Sequence, residues 1–160
     1  MGERQRAAES AGGFAVSRRS GRLSPDLTQE ESISVRSDVD IVVARRRGRE
    51  LAASLGFGPT DQTLIATAIS ELTRNIVLYA ERGQVVLKAL VGQGGKRGIM
   101  VVARDVGPGI SNVEQALQSG FSTSGGLGLG LPGVRRLTDE FDIASEVGRG
   151  TTVTVKKWNR

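Results

Sequence analysis

The segment GFSTSGGLGLGLPG at residues 120–133 is dense in glycine, carries no charged side chain and runs into the helix-like VRRL of residues 134–137. Glycine loses more backbone freedom on folding than any other residue. A run this dense therefore persists where the main chain must bend sharply or lie close to a ligand. Amide groups left open by glycine, followed by a helix start with Pro132 in its first turn, make a receptor for phosphate. The interleaved Leu127, Leu129 and Leu131 point to a loop that folds against something, not to a plain linker.

Three familiar phosphate loops fail on context. Residues 128–133 satisfy G-x-G-x-x-G formally, but the dinucleotide fingerprint needs a strand directly upstream, where GFSTSG stands instead. A Walker A loop needs Ser or Thr after Gly-Lys, and Gly95-Lys96 is followed by Arg97. A protein kinase of the eukaryotic type needs a His-Arg-Asp loop, and the chain has no histidine.

Composition narrows the chemistry further. A chain of 160 residues, 38% hydrophobic and 24% charged, suits one domain with a real core. Without cysteine or histidine, disulfides, thiolate metal sites and imidazole catalysis are excluded, so acid–base work falls to Asp, Glu, Lys or Tyr. No apolar run approaches the roughly 20 residues of a membrane span. Arg6 stands where a myristoylation signal needs Ser or Thr, and no apolar stretch follows Arg18-Arg19. A cytoplasmic protein without a membrane partner is expected. The net charge of +5 comes with only 4% aromatics and no basic–aromatic interleaving, so no nucleic-acid partner is expected.

Along the chain, residues 1–31 are rich in Ser, Gly, Arg and Glu without periodicity and read as a disordered extension, leaving 32–160 as the folded domain. A short strand is expected at 33–37. A helix then starts with Asp38 or Asp40 as N-cap and ends at Gly56, with Ile41, Val42, Ala44, Leu51, Ala52 and Leu55 on its apolar stripe. Its other face carries Arg45, Arg46, Arg47 and Arg49, either a solvated surface or a dock for an acidic partner. A longer helix from Pro59 to about Ala80 turns Ile65, Ile69, Leu72, Ile76 and Tyr79 inward. Strands over 84–91 and 99–104, a short helix over 112–118, a helix over 132–140 and a closing strand pair complete the pattern. This order predicts an α+β, two-layer α/β sandwich, with a mostly antiparallel mixed sheet and helices on one face.

Four constellations carry the chemistry. Glu71 and Asn75 in SELTRNIVLYA share one helix face at i, i+4 spacing. An Asn carbonyl oxygen suits Mg²⁺, which takes few protein ligands and mostly phosphate oxygens, and a carboxylate one turn earlier can receive a hydroxyl proton. Asp105, Gly107 and Gly109 in DVGPGI form a strand-end turn in which a carboxylate can meet an exocyclic amine. The glycine run is the third, and Gly148-Arg149-Gly150-Thr151 the fourth. Singly, these are equally an exposed polar pair, a turn-capping aspartate and a hairpin turn.

Taken in order, E-x-x-x-N, D-x-G-x-G, a G-x-G-x-G run and G-x-G-T resemble the boxes of the GHKL ATPase superfamily. DIVVARRRGRELAASLGFGPTDQ, SELTRNIVLYA, DVGPGI, GFSTSGGLGLGLPGVRRLTDEF and GRGTTVTVKKW further resemble the RsbT-type switch serine kinases of the stressosome, over roughly residues 33–158. The resemblance implies the Bergerat fold, with ATP and Mg²⁺ as cofactors. By motif position, Asn75 would hold Mg²⁺, Glu71 would act as catalytic base, and Asp105 would recognise adenine. Gly107 and Gly109 would lie beside the base, Thr151 would support its recognition, and Gly126, Gly128 and Gly130 would form a phosphate lid that orders around the γ-phosphate.

It also implies an ATP-dependent protein-serine/threonine kinase acting on STAS-domain scaffold and antagonist proteins. Once released, such a kinase activates an output enzyme, a PP2C-type phosphatase, in a partner-switching cascade. Two alternatives share these boxes: an anti-sigma-factor kinase that binds a sigma factor directly, and a nucleotide-gated binding module. Two features depart from the pattern. Residues 1–31 have no counterpart in it, and residues 111–134 contain no Lys or Arg. Arg135 is then the nearest cation for phosphate after the run.

Overall fold

Residues 29–118 and 130–160 are described by the computed structural model. Two-residue alternation of apolar and polar side chains builds five strands: β1 (Glu30–Val35), β2 (Gly83–Val91), β3 (Arg97–Asp105), β4 (Glu140–Glu146) and β5 (Gly150–Trp158). Their order in one sheet is β1-β2-β3-β5-β4. All four pairings are antiparallel, so the parallel pair that a mixed sheet allows does not occur among the described residues.

The register shows why one face is covered. Ile33, Val85, Ala103, Val153 and Ile143 stand opposite one another across all five strands, and the first four are buried. One residue along, the matching row is Ser34, Gln84, Arg104, Thr152 and Ala144, which faces the other way. A slip of one residue in any strand would exchange these sets.

Four α-helices occur among the described residues: α1 (Asp38–Ser54), α2 (Pro59–Asn75), the single turn α3 (Val113–Ala116) and α4 (Gly130–Leu137). The second layer is built by α1, α2 and α4. Val35 and Val85 from the sheet, Leu55 beyond α1, Ile69 and Leu72 from α2 and Val134 from α4 are almost wholly excluded from water. Each such aliphatic side chain contributes on the order of 1.5–3 kcal/mol by burial. Among the described residues no helix is long and apolar enough to cross a membrane.

Several sequence expectations need correction. The N-cap of α1 is Ser37, not Asp38 or Asp40. Asp40 instead reaches back, its carboxylate accepting from the backbone N–H of Arg36 at 2.8 Å and of Ser37 at 3.1 Å. This is the acidic half of a capping box. Val42 lies on the outer side of α1 and is exposed. β1 begins at Glu30, ahead of the expected domain start, and Gln29 already accepts a backbone hydrogen bond from Ala89.

The largest departure lies beyond Asn75. There the α-helix does not continue to Ala80 but widens into a π-turn over Ile76–Ala80. One added residue per turn rotates the later side chains about the helix axis. Tyr79, expected in the core, is therefore about half exposed. Residues 1–28 and 119–129 lie outside the described residues, and with them the extension and most of the glycine run.

Candidate active site

A cavity of about 380 Å³ opens where α2, the π-turn, β3, β5 and α4 meet. Leu72, Ile76, Tyr79, Ala103, Ile110, Leu131 and Val153 give it apolar walls. Its polar lining includes Asn75, Asp105 and Thr151, three side chains separated by up to 76 positions in sequence but gathered here. Gly109 and Gly130 complete it from the expected set. Apolar walls with a few convergent polar groups are the usual form of a site for a flat organic ligand.

Asp105 sits at the end of β3, where the strand runs out into the DVGPGI loop. Its Oδ1 accepts from the backbone N–H of Gly107 at 2.9 Å and of Thr151 at 3.2 Å. One carboxylate oxygen is thus fixed by two main-chain donors, which orients the group toward the cavity. Ser145 on β4, which sequence reasoning did not single out, completes the frame. Its Oγ accepts from Ile110 N–H at 2.8 Å and lies 2.8 Å from the Thr151 hydroxyl. Ser145 stands directly opposite Thr151 in the β4–β5 register, so only the hairpin pairing could have revealed it.

The two loop glycines are required by the protein itself. Gly107 does not line the cavity. A Cβ there would press on Ala80 of the π-turn, at 2.6 Å from its Cβ. Gly109 has φ +76, and a Cβ would overlap the carbonyl oxygen of Glu146. Gly109→Ala is expected to destabilise the domain by at least about 1–2 kcal/mol from the left-handed backbone alone. A fall in melting temperature of roughly 5 °C or more, read by calorimetry, checks it.

Asn75 is the last residue of α2, half-buried, and its amide makes no hydrogen bond with a described residue. Glu71 lies one turn earlier and is buried at 5% exposure, outside the cavity lining. Its Oε1 receives Arg74 Nη1 at 2.9 Å, a partner that no sequence motif marks. A buried carboxylate needs such a partner, because an unpaired charge in the interior costs several kcal/mol. No group of three or more Asp, Glu, His or Cys able to hold a metal ion occurs among the described residues. Mg²⁺ does not need one when phosphate oxygens fill its shell, so the single Asn oxygen fits.

Gly130 and Leu131 open α4 at the cavity, with Pro132 in the first turn as expected, so the first amides of this helix adjoin the space. Gly126 and Gly128 lie outside the described residues. Arg135 is exposed and is not among the residues that line the cavity.

Comparison with known proteins agrees with this geometry. Residues 60–159 match the model of the histidine kinase-, DNA gyrase B-, and HSP90-like ATPase family. Serine/threonine-protein kinase RsbT of Bacillus subtilis is 48% identical over 134 residues, covering 84% of this chain and 100% of that protein. An anti-sigma F factor of Geobacillus is 32% identical over 103 residues, 60% of this chain and 68% of its own. Among solved structures, a Mycobacterium tuberculosis protein with RsbU and RsbW domains superposes with TM-score 0.56 at 21% identity. That match covers 83% of this chain and 34% of the other, and is a likeness of fold.

Proposed function

We propose, because this chain belongs to the histidine kinase-, DNA gyrase B-, and HSP90-like ATPase family and within it to the RsbT-type serine/threonine-protein kinases, that its cavity binds ATP for transfer to a partner protein. The partners are STAS-domain scaffold and antagonist proteins of the cytoplasm, and the released kinase then activates a PP2C-type phosphatase. The observation that carries this reading is the gathering of Asn75, Asp105, Gly109, Gly130 and Thr151 around one apolar cavity.

The roles follow from this reading. Asp105, held by Gly107 and Thr151 N–H groups, accepts from the adenine amine while Ile76, Ala103 and Val153 enclose the ring. At the α4 end, the amides of Gly130 and Leu131 offer N–H groups to phosphate. Asn75 would hold Mg²⁺, which supplies charge neutralisation at the phosphates when bound. Glu71, outside the nucleotide cavity, meets the incoming serine hydroxyl. Its Oε1 is taken by Arg74, so Oε2 receives the hydroxyl proton. The serine oxygen forms a bond to the γ-phosphorus as the bond to the β–γ bridging oxygen breaks, and ADP leaves with those electrons.

The test is direct. Purified full-length chain with Mg-ATP labelled at the γ-phosphate should transfer label to serine or threonine of a STAS-domain partner, and Asn75→Ala should reduce transfer by about 100-fold or more. Equal labelling by the variant would remove Asn75 from the site. Capture of a sigma factor in place of the STAS protein would instead favour the anti-sigma-factor reading.

A further inference from the structure

Strand alternation that turns Ala103 toward the nucleotide cavity turns its neighbour Arg104 to the opposite face of the sheet. There it stands in register with Gln84 and, beyond it, Ser34. Arg36 follows β1 on the same side, and Arg82 directly precedes β2. These three arginines, with Ser34 and Gln84, line a second cavity of about 280 Å³.

Charge on this face is distributed unevenly. Toward the far end of the sheet each lysine is matched by the glutamate directly across the strand: Lys88 with Glu30 at 3.9 Å, and Lys156 with Glu140 at 3.5 Å. Arg36, Arg82 and Arg104 are all exposed and make no ion pair with any described residue. The strand neighbours of Arg104 are the uncharged Gln84 and Thr152. Among the described residues lining the cavity the one carboxylate is Asp105, whose Oδ1 is already engaged by two backbone N–H groups. Three guanidiniums against one carboxylate leave two positive charges facing solvent.

We propose that this arginine pocket is a second anion site, which takes a dianionic phosphate group, either of a phosphorylated serine or threonine side chain or of free inorganic phosphate. A phosphate ester carries about −1.5 to −2 at neutral pH, which matches the uncompensated charge. Guanidinium forks bind phosphate oxygens in pairs, and the Ser34 hydroxyl and Gln84 amide add neutral donors on the same wall. The pocket lies across the sheet from the nucleotide cavity and shares only Asp105 with it, so it does not depend on the nucleotide chemistry proposed above.

The experiment titrates the full-length chain with inorganic phosphate, with a serine-phosphorylated peptide, and with the same peptide carrying glutamate at that position. Amide NMR shifts locate the site. Binding should shift residues 34, 82–84 and 104, and should weaken about tenfold or more in the combined Arg36→Gln, Arg82→Gln, Arg104→Gln variant. Affinity of the variant for an ATP analogue should stay within about twofold of the parent, since no arginine of the set lines the nucleotide cavity. Tighter binding of the phosphopeptide than of inorganic phosphate assigns the site to a modified side chain; equal binding assigns it to free phosphate. Unchanged phosphate affinity in the variant, equal affinity for the glutamate peptide, or shifts confined to Gly130 and Leu131 would overturn the proposal. If the combined variant unfolds, Arg104→Gln alone must still weaken binding by about threefold or more, because its side chain is exposed and makes no ion pair with a described residue.

Discussion

Glu71→Gln is expected to stop phosphotransfer while leaving nucleotide binding intact. The substitution keeps the shape of the side chain and an oxygen for Arg74, so the buried contact at 2.9 Å persists in neutral form. What it removes is the carboxylate proposed above to accept the serine proton. Losing a positioned general base costs about 10²–10⁴ in rate. Because Glu71 does not line the cavity, the affinity for an ATP analogue should change by no more than about twofold. Single-turnover labelling of a STAS-domain partner, set beside a nucleotide titration, separates the two quantities. Transfer within about tenfold of the parent would show that another group takes the proton.

Asp105→Asn is expected to act on the complementary quantity. An amide at this position can still accept from Gly107 and Thr151, but it replaces a charged acceptor by a neutral one that also presents a donor toward the adenine amine. Hydrogen bonds to charged groups contribute about 1.5–3 kcal/mol, which corresponds to a loss of roughly 10–150-fold in affinity. Since the adenine end is common to both nucleotides, ATP and ADP should weaken together, as read by calorimetric titration. A loss for ATP with ADP unaffected would place Asp105 at the phosphates instead.

Of the residues marked by the sequence boxes, Asn75, Asp105, Gly109, Gly130 and Thr151 line one cavity, while Glu71 and Gly107 lie outside its lining. Asn75 and Asp105 were legible as a helical and a strand-end polar group, and both face the cavity. The π-turn was not legible, since Ile76 and Tyr79 fit an α-helical stripe equally well and nothing local marks the wider turn. Ser145 and the arginine pocket depend on strand register, a property of residues far apart in the chain. Arg74 was hidden differently. It lies between the two candidate residues of its helix, yet only the burial of Glu71 makes a partner necessary. The cap of α1 reads from sequence as Asp38 or Asp40 because both are good caps; that Ser37 serves instead depends on where the chain leaves β1.

The π-turn also bears on which chain lengths this fold accepts. Deleting one residue from 76–80 would let α2 close into regular i to i+4 bonding, a more stable helix taken alone. It would also turn Ala80 away from Gly107 and withdraw Tyr79 from the cavity wall. At the β2–β3 loop, by contrast, Gly94 and Gly95 face open space, and only the turn's own backbone hydrogen bonds would have to re-form around an insertion or a deletion. Length variation among related chains should therefore collect in that hairpin and be absent from the five residues after Asn75, where the helix retains an extra residue that its own backbone would discard.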